Sequence, residues 1–310
     1  MTFDLVGIGN PVYDIIVTPQ ARTEGRVLSG CSTNACLAAK RLGLTKVGLI
    51  GSIGRDFGKK FLHDMNSYGI DVRLDSTDGE TGGFHLVYDA QGDRTLDVLG
   101  VAERIRAVHI PDDYLDAKFI LIGPILGEVD LALVEFVRSS SSAKLFLDPQ
   151  GLVRIIGGDR RIVHKCDKGQ FRKIAGLVDF IKPNEPESET ITGEKDAVLA
   201  ARQIGELGSA ISIVTLADRG SILIDDNSLC RIPAFPTSAI DPTGAGDVYA
   251  GSFITDYIRK GNIVEAAMFA SAAASLKVEQ MGPDFRIPLE AAEQRKKEIR
   301  ERFLVENANQ

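Results

Sequence analysis

Short apolar runs recur along this chain between segments of helical periodicity, and that alternation constrains the fold more than any other feature. Leu5–Ile8, Val47–Ile50, Phe119–Ile122, Leu145–Leu147, Phe180–Ile181 and Ile211–Val214 read as strands. Helical patterns fall over Asn34–Leu42, Phe57–Tyr68, Val129–Val137, Ala197–Leu207, Ile263–Val278 and Leu289–Phe303. Strands alternating with helices predict an α/β fold with a central, mostly parallel sheet flanked by helices. No internal repeat or low-complexity linker divides the 310 residues, so one domain over 1–310 is expected. With 44% hydrophobic residues it has the material for a sizeable core.

One region breaks the rhythm. Phe84, Leu86 and Tyr88 alternate with His85 and Val87, and Gln91-Gly92 reads as a turn into Arg94–Leu99. With Ile15–Thr18 and the stretch around Val27, this predicts a small antiparallel sheet built from about 12–30 and 72–100. An edge hairpin of the main sheet is the alternative.

The chemistry concentrates at Asp241-Pro242-Thr243-Gly244-Ala245-Gly246-Asp247. Tyr249, Phe253 and Tyr257 recur behind it at helical spacing, as do Ala250, Ile254 and Ile258, so a helix is predicted from near Gly244 to Gly261. First-turn N–H groups lack intrahelical partners and sit at the positive end of the dipole, so Gly244, Ala245 and Gly246 would let a phosphate approach closely. Asp247 would repel that phosphate unless its task is to take a proton from an attacking hydroxyl. The competing reading is a close-packed Gly-Ala-Gly with Asp247 as a helix-terminal charge.

Other phosphate and metal motifs are excluded. Gly7-Ile8-Gly9 follows a strand, but Val12 stands where a dinucleotide fingerprint needs its third glycine. No G-x-x-x-x-G-K-S/T occurs, so a Walker-type site is ruled out. Cys31, Cys36, Cys166 and Cys230 form no C-x-x-C pair, and four scattered histidines give no zinc spacing. A net charge of −7 argues against nucleic acid as a partner. The basic run Arg295-Lys296-Lys297 sits among Glu293, Glu298 and Glu301 and reads as a solvated helix face. No transmembrane span or secretory signal is apparent, and the cytoplasm is the expected compartment.

The 241–247 segment resembles the C-terminal signature D-T/P-x-G-A-G-D of the ribokinase-like (PfkB) carbohydrate kinases, and the resemblance runs through almost the whole chain in order. Gly30–Asn34 is similar to the family's G-G-x-x-x-N segment with Ser29 in place of the first glycine, and Ala35–Gly43 to its helix ending in R-L-G. Gly51–Gly58 is similar to its G-x-x-G-x-D-x-x-G signature, and Asn184–Glu187 to its N-x-x-E motif. Thr215–Gly220 is similar to its T-x-G-x-x-G nucleotide loop, with Ala217 where glycine is usual.

That resemblance implies transfer of the γ-phosphoryl group of ATP to a substrate hydroxyl, with Asp247 as base, the Gly244–Gly246 amides stabilising charge, and Mg2+ on the donor phosphates. It implies acceptor contacts from Asp14, Gly30 and Asn34; a turn acid at Asp14 and a helix N-cap at Asn34 are the local alternatives. Thr215, Gly220 and Asn184 are implied to bind nucleotide, and Asn184 with Glu187 to hold Mg2+ through water, where a capping role for Asn184 is equally physical. Asp241 and Thr243 are implied to hold K+, against ordinary turn chemistry. The small sheet is implied to be a lid over a polyhydroxylated substrate, and its apolar face requires covering by the main domain, by substrate or by a second subunit, so a homodimer through the lid is expected. Leu147–Arg154 and Val278–Gly282 resemble segments of inositol kinases, which puts a sugar or cyclitol acceptor first and a nucleoside second. A non-catalytic sugar-sensing protein would have no need of Asp247.

Overall fold

The computed structural model describes residues 2–90, 92–208, 211–225 and 228–308. In its main sheet the strand Leu5–Ile8 pairs in parallel with Val47–Gly54 on one side and Phe119–Ile122 on the other. Outward from Phe119–Ile122 come Lys144–Leu147, Phe180–Ile181 and Ile211–Thr215, all parallel. The six predicted strands are therefore the parallel body of the sheet. Their uninterrupted apolar runs are explained by two large clusters of buried side chains that cover both faces.

Two additions lie at the edges. Ser221–Asp225 and Ser228–Ile232 extend the sheet antiparallel beyond Ile211–Thr215. At the opposite edge Asp71–Thr77 pairs in parallel with Val47–Gly54. Residues 72–77, assigned to the lid from sequence, thus belong to the main sheet, where an edge strand with polar Asp71 and Arg73 facing water reads as a surface element.

The lid is a separate sheet in the order Val27–Ser29, Val12–Val17, Gly83–Tyr88, Arg94–Gly100. It is mixed rather than antiparallel throughout, because Val12–Val17 pairs in parallel with Gly83–Tyr88 after the chain has passed through the main sheet between them. The outer pairs are antiparallel. Gln91, part of the predicted turn, lies outside the described residues. Phe84, Leu86 and Tyr88 are buried against Val12, Ile16, Cys31 and Ile125 of the same chain. The apolar face on which a homodimer was expected is covered without a second subunit.

The helix Ala245–Lys260 begins after Gly244 and stops at Gly261, as predicted. Phe253 and Tyr257 on its buried face pack on Phe119, Phe146 and Phe180 of the sheet. Gly251 permits close approach to the helix Cys31–Arg41: a Cβ there would lie 2.2 Å from the Ala35 carbonyl oxygen. Among the described residues no helix is long and apolar enough to cross a membrane.

Candidate active site

The parallel strands end on one side of the sheet, and the polar residues that follow them converge there. Asp148 follows the strand Lys144–Leu147, Lys182 follows Phe180–Ile181, and Thr215 ends Ile211–Thr215. Into this edge points the N-terminus of the helix Ala245–Lys260, where Gly244 adopts φ 76°, the Ala245 N–H donates to Pro242 O at 3.2 Å, and the first-turn amides sit at the positive end of the helix dipole. A Cβ on Gly246 would sit 3.4 Å from Lys182 Nζ, so a cation already faces the loop read as an anion cradle.

Asp247 lies at the mouth of this cradle. Asn34 Nδ2 donates to its Oδ2 at 2.9 Å, and Gln150 Nε2 approaches Oδ1 at 3.5 Å. Surrounding protein and then the charge of Asp148 raise the Asp247 carboxyl above its ordinary range, against the pull of Asn34 and Lys182. Asn34 is not a helix cap: its helix starts at Cys31 behind Gly30, which leaves the Asn34 amide free to cross to Asp247.

Lys182 Nζ and Asp148 Oδ2 form an ion pair at 2.8 Å, with both side chains 3% exposed. Burial alone would lower the lysine, but Asp148 outweighs it and holds Lys182 firmly protonated. Cys31, which forms no C-x-x-C pair in the sequence, is buried and places its Sγ within 4.8 Å of carboxylate oxygens of Asp148 and Asp247. Burial, then those carboxylates, keep it a thiol.

Asp14 is buried, and its Oδ1 accepts from the Phe84 backbone N–H of the lid at 2.7 Å. Burial pushes its carboxyl up to about 6, opposed by hydrogen bonds from Ser29 and Phe84 and by the charges of Arg154 and Arg26. The lid also reaches the loop ahead of Gly244: Thr243 Oγ1 donates to Tyr88 Oη at 3.1 Å, and Arg94 donates to the same oxygen at 2.9 Å. Arg154 is buried with its Nε lacking a hydrogen-bond partner. Burial and neighbouring Arg94 lower its proton affinity, while Glu187, Asp148 and Asp247 oppose them. Two guanidinium groups and Lys182 therefore surround the cluster of carboxylates.

Asn184 and Glu187 form a reciprocal capping box, with Asn184 Oδ1 accepting from the Glu187 N–H at 2.9 Å and Glu187 Oε2 from the Asn184 N–H at 3.0 Å. Glu187 is 3% exposed, and burial followed by Asp148 raises its carboxyl. The Thr215 N–H donates to Pro183 O at 3.1 Å, which brings the N-x-x-E segment against the T-x-x-x-x-G loop. Within that loop Ala217 takes φ 53°, the left-handed conformation that glycine adopts without cost.

Asp241 and Thr243 are otherwise engaged. Asp241 Oδ1 accepts from the Thr243 N–H at 2.9 Å, and Lys277 Nζ lies 3.1 Å from both Asp241 O and Asp241 Oδ2.

Asp14, Asn34, Asp247 and the Gly244–Gly246 loop are linked in this edge of the fold, with Thr215, Asn184 and Glu187 beside them. Sequence reasoning missed Lys182, Asp148, Arg94, Arg154, Gln150 and Lys277. Lys182 adjoins the Pro183-Asn184 segment, and Asp148, Gln150 and Arg154 lie within Leu147–Arg154, so proximity to recognised segments was the available signal.

Residues 8–290 match the pfkB family carbohydrate kinases. The chain is 33% identical over 264 residues to the cytidine kinase of Thermococcus kodakarensis, covering 83% of this chain and 89% of that one. Its fold is similar, at a TM-score of 0.80 and 23% identity, to a pyrophosphate-dependent kinase in the ribokinase family solved with a pyrophosphate analog and myo-inositol, covering 94% and 99% of the two chains. It is also similar to a putative ribokinase II from E. coli in complex with ATP and Mg2+, at a TM-score of 0.76 and 20% identity over 96% and 100% of the chains. The chain belongs to the pfkB family of carbohydrate kinases, enzymes that transfer a phosphoryl group to an alcohol.

Proposed function

We propose that the protein is an ATP-dependent kinase that phosphorylates a hydroxyl of a polyhydroxylated ring, a sugar or cyclitol. The observation that carries this reading is the Asp247 carboxylate, held by Asn34 in the first helical turn directly behind Gly244–Gly246 and raised by burial. A base whose pKa is lifted towards the working pH suits proton abstraction from a hydroxyl.

In this reading the acceptor hydroxyl gives its proton to Asp247 as its oxygen attacks the γ-phosphorus in line. The new O–P bond forms as the bond to the β-bridging oxygen breaks, and ADP leaves with that electron pair. The Gly244–Gly246 amides and Lys182 stabilise charge on the transferring group. Asp14 accepts hydrogen bonds from neighbouring acceptor hydroxyls, with Gly30 lining the same approach, and Asn34 orients Asp247. Thr215, Gly220 and Asn184 border the nucleotide.

The residues present fit a magnesium ion. The capping box uses Glu187 Oε2 and leaves Oε1 for a coordinated water, and the raised carboxyl of Glu187 beside Asp148 is eased by a nearby cation. Mg2+ held there with the donor would neutralise the β and γ oxygens. Potassium does not fit Asp241 and Thr243 as they stand, since Lys277 occupies the carboxylate and the threonine hydroxyl donates to Tyr88. ATP as donor favours the cytoplasm, where it is supplied. Assembly is read by sedimentation at micromolar concentration, the covered lid face giving no requirement for a dimer.

A nucleoside acceptor is the second reading, favoured by the 33% identity to a cytidine kinase. Thermal shift with sugars, inositols and nucleosides, each with a nonhydrolysable ATP analogue and magnesium, separates the two. A true acceptor at a hundredfold excess over Kd stabilises by about 2.7 kcal/mol. Substituting pyrophosphate for the nucleotide tests the donor. Stabilisation only by phosphorylated acids or aliphatic amines would refute the carbohydrate-kinase reading.

A further inference from the structure

We propose that the ammonium group of Lys277 is a built-in monovalent cation, holding the turn that forms the anion cradle and making the protein independent of potassium. Lys277 Nζ lies 3.1 Å from Asp241 O, 3.1 Å from Asp241 Oδ2 and 3.4 Å from Gln280 O. An ammonium has three donors, and these three oxygens use all of them. Two backbone carbonyls and one carboxylate are also the hard-oxygen set that a potassium ion takes. The two cations carry the same charge and have comparable size.

Neither partner is open to solvent: Lys277 is 2% exposed and Asp241 0%. A second cation at the same oxygens would meet the ammonium at close range with little water to screen it. Thr243, the other residue expected at a potassium site, has its hydroxyl committed as a donor to Tyr88.

The position explains what the cation does. Asp241 Oδ1 receives the Thr243 N–H and Oδ2 the Gly282 N–H, at 2.9 and 3.1 Å. Lys277 neutralises the carboxylate that joins these two turns, and the first runs directly into Gly244. A side chain supplied by the helix Ile263–Val278 thereby sets the cradle amides with no ion from solution.

The test compares full-length wild type with Lys277→Ala in potassium, sodium and choline chloride at equal ionic strength. Calorimetry with a nonhydrolysable ATP analogue and thermal melting of the protein alone are read together. Wild type is expected to give the same Kd and the same melting temperature in all three salts. In Lys277→Ala, potassium is expected to tighten nucleotide binding over choline by roughly five- to a hundredfold, with ammonium substituting for potassium. A wild type that needs potassium, or a folded Lys277→Ala indifferent to it, overturns the proposal. If Lys277→Ala is unfolded in choline, recovery in potassium supports it; if it is unfolded in every salt, the wild-type comparison decides. The melting arm is independent of the donor, so absence of nucleotide binding would count against the kinase reading alone.

Discussion

Asn34 and Asp247, 213 positions apart, meet through a 2.9 Å hydrogen bond from the asparagine amide to the aspartate Oδ2. The contact joins the first turns of two helices that pack on the same face of the sheet. It fixes one carboxylate oxygen and leaves Oδ1, near Gln150, for a proton.

Asp247→Asn keeps size and removes the charge. Turnover is expected to fall by about 10²- to 10⁴-fold while nucleotide Kd stays level or improves, because repulsion at the cradle is relieved. A helix-terminal charge would instead cost about 0.3–1 kcal/mol of stability and spare turnover. Melting temperature and steady-state rate from one preparation distinguish the outcomes, and near-normal turnover would remove Asp247 from the chemistry.

Asp14 gives a pH signature. Its folded pKa of about 6 lies above the ordinary 3.8, so the native state holds a proton that the unfolded chain has lost across that window. Its contribution to stability therefore falls as pH rises from about 4 to 6. Only the ionised form accepts from two hydroxyls, so the acceptor KM is expected to climb as pH drops below about 6. Asp14→Asn should weaken acceptor binding and erase that inflection; a profile unchanged in the variant would assign it elsewhere.

The parts of the fold legible in sequence are those whose pattern has one physical cause. Phe119–Ile122 and Ile211–Thr215 are continuous apolar runs because helices cover both faces. Asp71–Thr77 has no such pattern, since an edge strand carries Asp71 and Arg73 to water, and it was read into the lid. The Asp241–Asp247 loop was legible because a close backbone approach at a helix start needs small residues at fixed spacing. Lys182, Arg154 and Lys277 were not, because each is a lone charge in or beside an apolar run, and only the sheet and helix packing gives it partners. Asn34 was placed at a helix start because a polar residue there resembles a cap; the backbone begins the helix three residues earlier and spends the amide on Asp247.

Stability far from the site rests partly on Lys296. Its ammonium is 2.9 Å from Asp256 Oδ2, with both side chains at most 2% exposed. Lys296→Met leaves a buried carboxylate short of a partner, and breaking such a pair costs about 3–5 kcal/mol. Lys260, also on Asp256, should soften that loss. Urea unfolding is expected to show a lower midpoint with kcat unchanged at 25 °C; a change in kcat without loss of stability would contradict a purely structural role.

Two glycines separate folding from chemistry. Gly220 has φ 92°, and a Cβ there would stand 2.0 Å from the backbone oxygen of Ile232, which belongs to the edge strand and cannot turn aside. Gly244 has φ 76°, but its Cβ would meet the Asn34 amide nitrogen at 2.8 Å, the far end of a side chain that can swing. A left-handed alanine costs about 1–2 kcal/mol at Gly244, whereas Gly220, with ψ −133°, sits outside the left-handed helical region in a conformation that side chains other than glycine's tolerate still less. Gly220→Ala adds a backbone clash and should lower the melting temperature most. Gly244→Ala relieves its clash by pushing Asn34 off Asp247, so it should keep more stability and lose more turnover. Measured as kcat against melting temperature, the two variants are expected to fall on opposite sides of any common trend. A Gly244→Ala protein that melts lower but turns over normally would show that the Asn34–Asp247 contact is not needed for phosphoryl transfer.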